Sequence, residues 1–233
     1  MGNNMYGFDH FIFTLPALIL AGLATLFTKI TFSRYAHQES VSGLTGSEAA
    51  RKMLWYKGIG DVRIEEVDGF LSDHYDPTSR TLRLSPGVYN SDSLSAIGVA
   101  CHEAGHAIQH ANSYFPLTLR SALVPAVQIG NFAPYLLIML GMFLNNFGLI
   151  KLGILVFTGV VAFSLVTLPV EWNASSRAKD LMVAAGIVSP GEQVMAGRVL
   201  NAAFLTYVAA AFTSILQLLY FLTRFGLLGR RED

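Results

Sequence analysis

The chain has 233 residues, 52% of them apolar, a mean hydropathy of +0.46, 16 acidic and 16 basic residues, and one cysteine. Balanced charge gives no footing for a nucleic-acid partner, and Cys101 alone allows no internal disulfide. Charged residues make up 14% of the chain, against about 25% in soluble domains, and stretches 11–28, 121–150, 152–170 and 199–223 contain none. An ordinary soluble globule, a disordered chain and a disulfide scaffold are thereby excluded.

A helix needs ~20 residues to cross the hydrocarbon core, and the charge-free stretches predict four transmembrane helices. The first is expected over residues 8–30. Asp9 and His10 precede its apolar run and Lys29 follows, so it reads as a retained anchor rather than a signal peptide. Residues 122–170 read as a hairpin of two spans. The first of these runs near 125–144 with a proline kink, in a stretch that holds Pro125 and Pro134, and the second over 152–170. The fourth span is expected over 201–224, with the small residues Ala209, Ala210 and Ala211 suited to close packing. Residues 225–233, with Arg230 and Arg231, read as a charged tail. The hairpin puts the chain before it and after it on one side, which carries 12 of the 16 Lys and Arg. The positive-inside rule then places that side in the cytoplasm.

Residues 31–120 read as a polar α+β domain. Thr45-Gly-Ser-Glu48 is a capping-box pattern that opens a helix to about Tyr56. Residues 62–67 (VRIEEV) alternate as a strand does, 76–79 (DPTS) form a turn, and 81–85 (TLRLS) form a second strand. A helix is expected over about 93–111.

That helix carries His102-Glu103-Ala104-Gly105-His106, an HExxH motif. Two histidines four apart share one face, about 6 Å apart along the axis, and can converge on one zinc ion. Glu103, one residue round, is the candidate general base. The alternative is a polar helix face with two histidines in a core network. An open zinc site needs a third protein ligand. His110 lies about 12 Å from His102 along a straight helix, too far to share the metal. Glu171 is the better candidate, as the first charge after the third span. It opens a segment, 171–200, expected to begin a new helix toward Ala185 and end at Gly186. The competing reading of Glu171 is a membrane-edge acid capping that helix.

CHEAGHAIQHA, the preceding DHYDPTSRTLRLSPGVY and the later VEWNASSRA resemble the YugP-type neutral zinc metallopeptidases, a bacterial multi-pass membrane family. More distantly, the chain is similar to the HtpX membrane proteases. The resemblance covers nearly the whole chain. It implies a mainly α membrane protein whose four transmembrane helices carry a zincin-like catalytic core with a small antiparallel β-sheet. It further implies one zinc per chain on His102, His106 and Glu171, with Glu103 as catalytic base. The distant relatives place an Asp where this chain has Ser175, so Asn173, Ser175 or Asp76 is expected to orient a ligating histidine, with Asp180 on the wrong helical face. Leu82, Arg83, Leu84 and Ser85 resemble the zincin edge strand, which would bind an extended substrate.

Asp73, His74, Tyr75 and Asp76 form a polar cluster, and Arg177, Tyr75 and His110 are the candidate donors to an oxyanion. Cys101 points away from the metal and reads as a core residue. The expected activity is hydrolysis of membrane or membrane-proximal polypeptides by a zinc-activated water, in the cell membrane with the site facing the cytoplasm. The expected partners are polypeptides, membrane or unfolded, and the lipid bilayer, with no nucleic acid. The rival reading is a non-catalytic membrane scaffold with a structural zinc. Glu103 tells against it, because a structural site needs no base. An intramembrane protease is disfavoured because only nine uncharged residues separate Asp92 from His102.

Overall fold

The computed structural model describes residues 5–69, 72–130 and 132–227. Among these residues eight helices and three strands follow one another as α1 (Met5–Tyr35), α2 (Gly46–Tyr56), β1 (Arg63–Glu66), β2 (His74–Asp76), β3 (Thr81–Leu84), α3 (Pro86–Tyr89), α4 (Leu94–Ala111), α5 (Phe115–Gly130), α6 (Ala133–Phe143), α7 (Phe147–Ala184) and α8 (Pro190–Arg224). They form two compact units. One is Met1–Leu23, Leu119–Leu168 and Thr206–Asp233; the other is Ala24–Thr118 and Pro169–Leu205.

The first unit is apolar. Three helices among the described residues are long and apolar enough to cross a membrane: Ile12–Tyr35, Phe147–Ala184 and Pro190–Arg224. The fourth span, expected near 125–144, is not one helix. The segment is divided between α5 and α6, and α6 begins with Pro134 in its first turn. Proline has no N–H to continue a preceding helix but suits a helix start. The 11 residues of α6 extend about 16 Å, half of what a span needs. Gly141 and Gly153 let α6 lie against the start of α7: a Cβ on either would meet Ile150 or Ile138 side-chain atoms at 2.7–2.8 Å. Ile138, Ile150, Ile154, Phe157, Val161 and Phe221 make the buried cluster there. Arg224 is the last residue of α8, and the expected tail residues Arg230 and Arg231 lie outside the described residues.

The second unit has a core of its own, with Met53, Leu82, Leu84, Ile97, Ile108 and Met182 among its fully buried members. Helix α2 opens on the predicted capping box: Thr45 accepts from the Glu48 N–H, and the Glu48 carboxylate accepts from the Thr45 N–H. The sheet departs from expectation. It is mixed, in the order β1-β3-β2, with β1 parallel and β2 antiparallel to β3. The expected edge strand, Leu82–Ser85, therefore sits in the middle. Its Leu82 and Leu84 are buried, Arg83 binds Asp76, and the Ser85 N–H donates to Asp73. With both edges paired, β3 has no backbone row to offer a substrate. Strand β2 arises from residues that read as loop, because three residues leave almost no alternation to detect.

Helix α4 begins after Ser93, whose hydroxyl accepts from the Ala96 N–H. It is buried almost all round, as an apolar helix at the centre of a domain must be. Helix α7 runs unbroken from Phe147 to Ala184, with Pro169 inside it. Glu171 accordingly lies within a continuous helix instead of opening a new one. The change from apolar to charged residues marks a change of surroundings; the helix carries on through it, short only of the N–H that Pro169 lacks. Gly186, at φ +63, stops the helix, and the Ile187 N–H returns to the Met182 carbonyl.

Candidate metal centre

Helices α4 and α7 meet where Gly105 faces Ala174. A Cβ at residue 105 would lie 2.7 Å from the Ala174 carbonyl oxygen, so only glycine permits this approach. The contact brings Val170, Glu171, Asn173 and Ser175 of α7 against the histidine-bearing side of α4.

His102, His106 and Glu171 converge there, their ligand atoms all within 4.8 Å of one another. Glu171 Oε2 is 3.1 Å from His102 Nε2 and 3.6 Å from His106 Nε2. The imidazoles stand edge to face with centroids 4.8 Å apart. Ligands about 2.1 Å from a tetrahedral zinc lie about 3.4 Å from one another, so this donor set fits the ion. Two imidazoles and a carboxylate are also the kind of set that zinc takes with a position left open. Among the described residues the cluster consists of these three. Glu171 is 1% exposed, His106 7% and Glu103 9%.

The residues behind the histidines are neutral. The Ser175 hydroxyl lies 3.0 Å from His102 Nδ1, and Gln109 Oε1 lies 3.0 Å from His106 Nδ1. Gln109 then donates to the Val170 carbonyl at 2.8 Å and to Asn173 Oδ1 at 3.0 Å, and Arg177 Nε donates to that same oxygen at 2.7 Å. Ser175 thus stands at a histidine, as one of the expected alternatives. Asp76 does not: its carboxylate accepts from Ser79, Thr78 and Arg83. The Ser79 hydroxyl foremost holds it well below the usual carboxylate range, against a smaller opposing effect of burial. Gln109 escaped sequence reasoning altogether. Its only signal is a polar residue three after His106 on a helix otherwise lined by small and apolar ones.

His110 stays out of the cluster. Its Nδ1 is 2.8 Å from the Tyr75 hydroxyl. Burial, opposed by nearby Arg80, pushes the Tyr75 phenol up to about 12, so it keeps its proton. Both residues line a cavity of about 570 Å³, together with Arg80 and Ser113. Asp61 and Arg80 form an ion pair on its wall. Arg80 and Ser113 both adopt positive φ, 48° and 50°, a conformation that non-glycine residues seldom hold. Arg177, the third candidate oxyanion donor, is engaged by Asn173 and lies over the Tyr114 ring. Cys101 is fully buried in the core.

A helical membrane protein with a His, His, Glu donor cluster over an HExxH helix belongs, by its sequence, to a known class. The chain is a member of the family described as putative neutral zinc metallopeptidases, which matches residues 10–226. It is 48% identical over 224 residues to the putative membrane protease YugP of Bacillus subtilis (strain 168), covering 96% of this chain and 99% of that protein. No solved structure matches the chain.

Proposed function

We propose that the chain is a membrane-anchored zinc endopeptidase with a zincin-like core, acting on membrane or unfolded polypeptides at the cytoplasmic face of the cell membrane. The observation that carries this reading is the three-donor cluster, two histidines of α4 and Glu171 of α7, with the buried Glu103 between those histidines in sequence. His102, His106 and Glu171 would hold the zinc. When bound, zinc supplies Lewis acidity, which polarises a carbonyl and makes water a stronger acid.

The protein's own residues divide the remaining work. Glu103 follows His102 by one residue, about 100° round α4, which turns it away from the ligand row. Its carboxylate takes the proton from the attacking water and hands it to the leaving nitrogen. Glu103, Ala107, His110 and Ala111 recur at helical spacing along one side of α4. The last three line the cavity, so a polypeptide passing Glu103 has room there for a side chain. The distribution of Lys and Arg about the hairpin supports the cytoplasmic orientation.

The test pairs metal analysis with cleavage of casein and of membrane proteins by the purified protein in lipid. Glu103→Gln should bind about one zinc per chain, the count expected of a single site, and keep wild-type thermal stability. It should lose ~10²–10⁴-fold in hydrolysis, the usual worth of a general acid–base. If zinc-loaded wild-type protein cleaves nothing, and Glu103→Gln supports whatever the cell requires of it, a scaffold with a structural zinc replaces this reading.

A further inference from the structure

The hydrogen bonds behind His106 can be oriented from their far ends. Arg177 has only donors, so the Asn173 atom it meets at 2.7 Å must be the acceptor oxygen. The Val170 carbonyl is likewise an acceptor and nothing else. Gln109 faces both, and its side chain is fully buried. Turning its amide over would set Oε1 against two acceptors in a site without water access. The amide is therefore locked with Nε2 toward α7 and Oε1 toward His106. An amide oxygen can only accept, so His106 Nδ1 must carry the proton. Nε2 is then the nitrogen that offers a lone pair, and it is the one 3.6 Å from Glu171 Oε2.

His102 has no such lock. Its Nδ1 meets the Ser175 hydroxyl at 3.0 Å, a group that can donate or accept.

We infer that Gln109 is a positioning residue: anchored through Asn173, Arg177 and the Val170 carbonyl, it fixes the Nδ1–H form of His106 and so presents Nε2 to the metal. Helix α7 thus supplies one ligand and the template for a second. This rests on the reading of His106 as a ligand. Partners behind ligating histidines typically carry a 10–100-fold effect on metal affinity.

Gln109→Met keeps the length of the side chain and removes its hydrogen bonds. Zinc dissociation constants from chelator competition should rise about 10–100-fold in Gln109→Met. Asn173→Asp keeps the acceptor oxygen that anchors Gln109 and should bind zinc as wild type does, whereas Asn173→Leu removes that acceptor and should weaken binding without any change beside His106. The contrast between the two separates orientation from packing. In zinc-loaded protein labelled with 15N-histidine, His106 should show a protonated Nδ1 in wild type and lose that uniform state in Gln109→Met. Wild-type zinc affinity in Gln109→Met, or coordination through His106 Nδ1 in wild type, overturns the inference. If the wild-type protein takes up no zinc, the proposed function fails; the inference is then judged on the zinc-free protein, where a protonated Nδ1 dependent on Gln109 upholds it and an unprotonated Nδ1 overturns it.

Discussion

Three histidines at helical spacing, His102, His106 and His110, have three different partners: a hydroxyl, an amide and a phenol. Spacing alone sets the first two apart from the third, because eight residues of helix separate His102 from His110 by about 12 Å. The partners agree, since His110 is turned to Tyr75 at the cavity and only the other two face Glu171. Zinc content should accordingly fall strongly in His102→Ala, His106→Ala and Glu171→Ala, each of which removes one of three protein bonds. In His110→Ala it should hold at the wild-type value. Elemental analysis after dialysis against a weak chelator measures this. A His110→Ala protein without metal, beside a Glu171→Ala protein that retains it, would reverse the assignment. The motif and the first charge after an apolar run were enough to single out these residues from sequence. Gln109 and Asn173 were not legible in the same way. An amide has no characteristic spacing, and its part depends on which groups the neighbouring helix turns toward it.

At the scale of elements, the site depends on how closely α4 and α7 approach. Gly105 lies between His102 and His106 in sequence, and its missing side chain admits the Ala174 carbonyl. Intrinsic preference would favour alanine there by about 1 kcal/mol. The contact opposes it, because a Cβ 2.7 Å from a backbone oxygen forces two packed helices apart, at a cost of about 1–3 kcal/mol. Gly105→Ala should therefore lower the melting temperature and weaken zinc binding together, since Glu171 and Ser175 ride on the displaced helix. Thermal unfolding and chelator competition on the same sample test this. A more stable protein with unchanged zinc affinity would show that the helices have room. Element boundaries were legible where a local device fixes them, as with the capping box at Thr45 and Gly186. They were not where only a composition change was available. The first charge at Glu171 suggested a helix start that the backbone ignores, and the apolar run of 121–150 concealed a helix end that Pro134 enforces. Strand order was out of reach for a related reason: β1 pairs parallel and β2 antiparallel with β3, and the alternation within each strand carries no record of which neighbour it takes.

For the whole molecule, the question is on which side of the membrane each part lies. Among the described residues three helices are long and apolar enough to cross, and α6 is too short to cross by itself, so the hairpin expected from sequence hangs on how 121–144 is accommodated. The proposed orientation still makes a sharp claim. The turn at 144–146 should lie outside, and the polar unit should lie in the cytoplasm. Single cysteines can report this because Cys101 is fully buried and so contributes little background labelling. Asn146 is best left alone, since its side chain accepts from the Gly148 and Leu149 N–H groups and caps α7. Leu144→Cys is preferable, at a position 59% exposed, with Thr78→Cys and Val194→Cys, both at exposed positions, for the polar unit. A membrane-impermeant maleimide should label residue 144 in intact cells, and residues 78 and 194 only after permeabilisation. Equal labelling of 78 and 144 in intact cells would mean that 121–146 returns to its own side without crossing. The charge asymmetry about the hairpin would then say nothing about where the metal centre faces, and an external site would have to be considered on the same geometry.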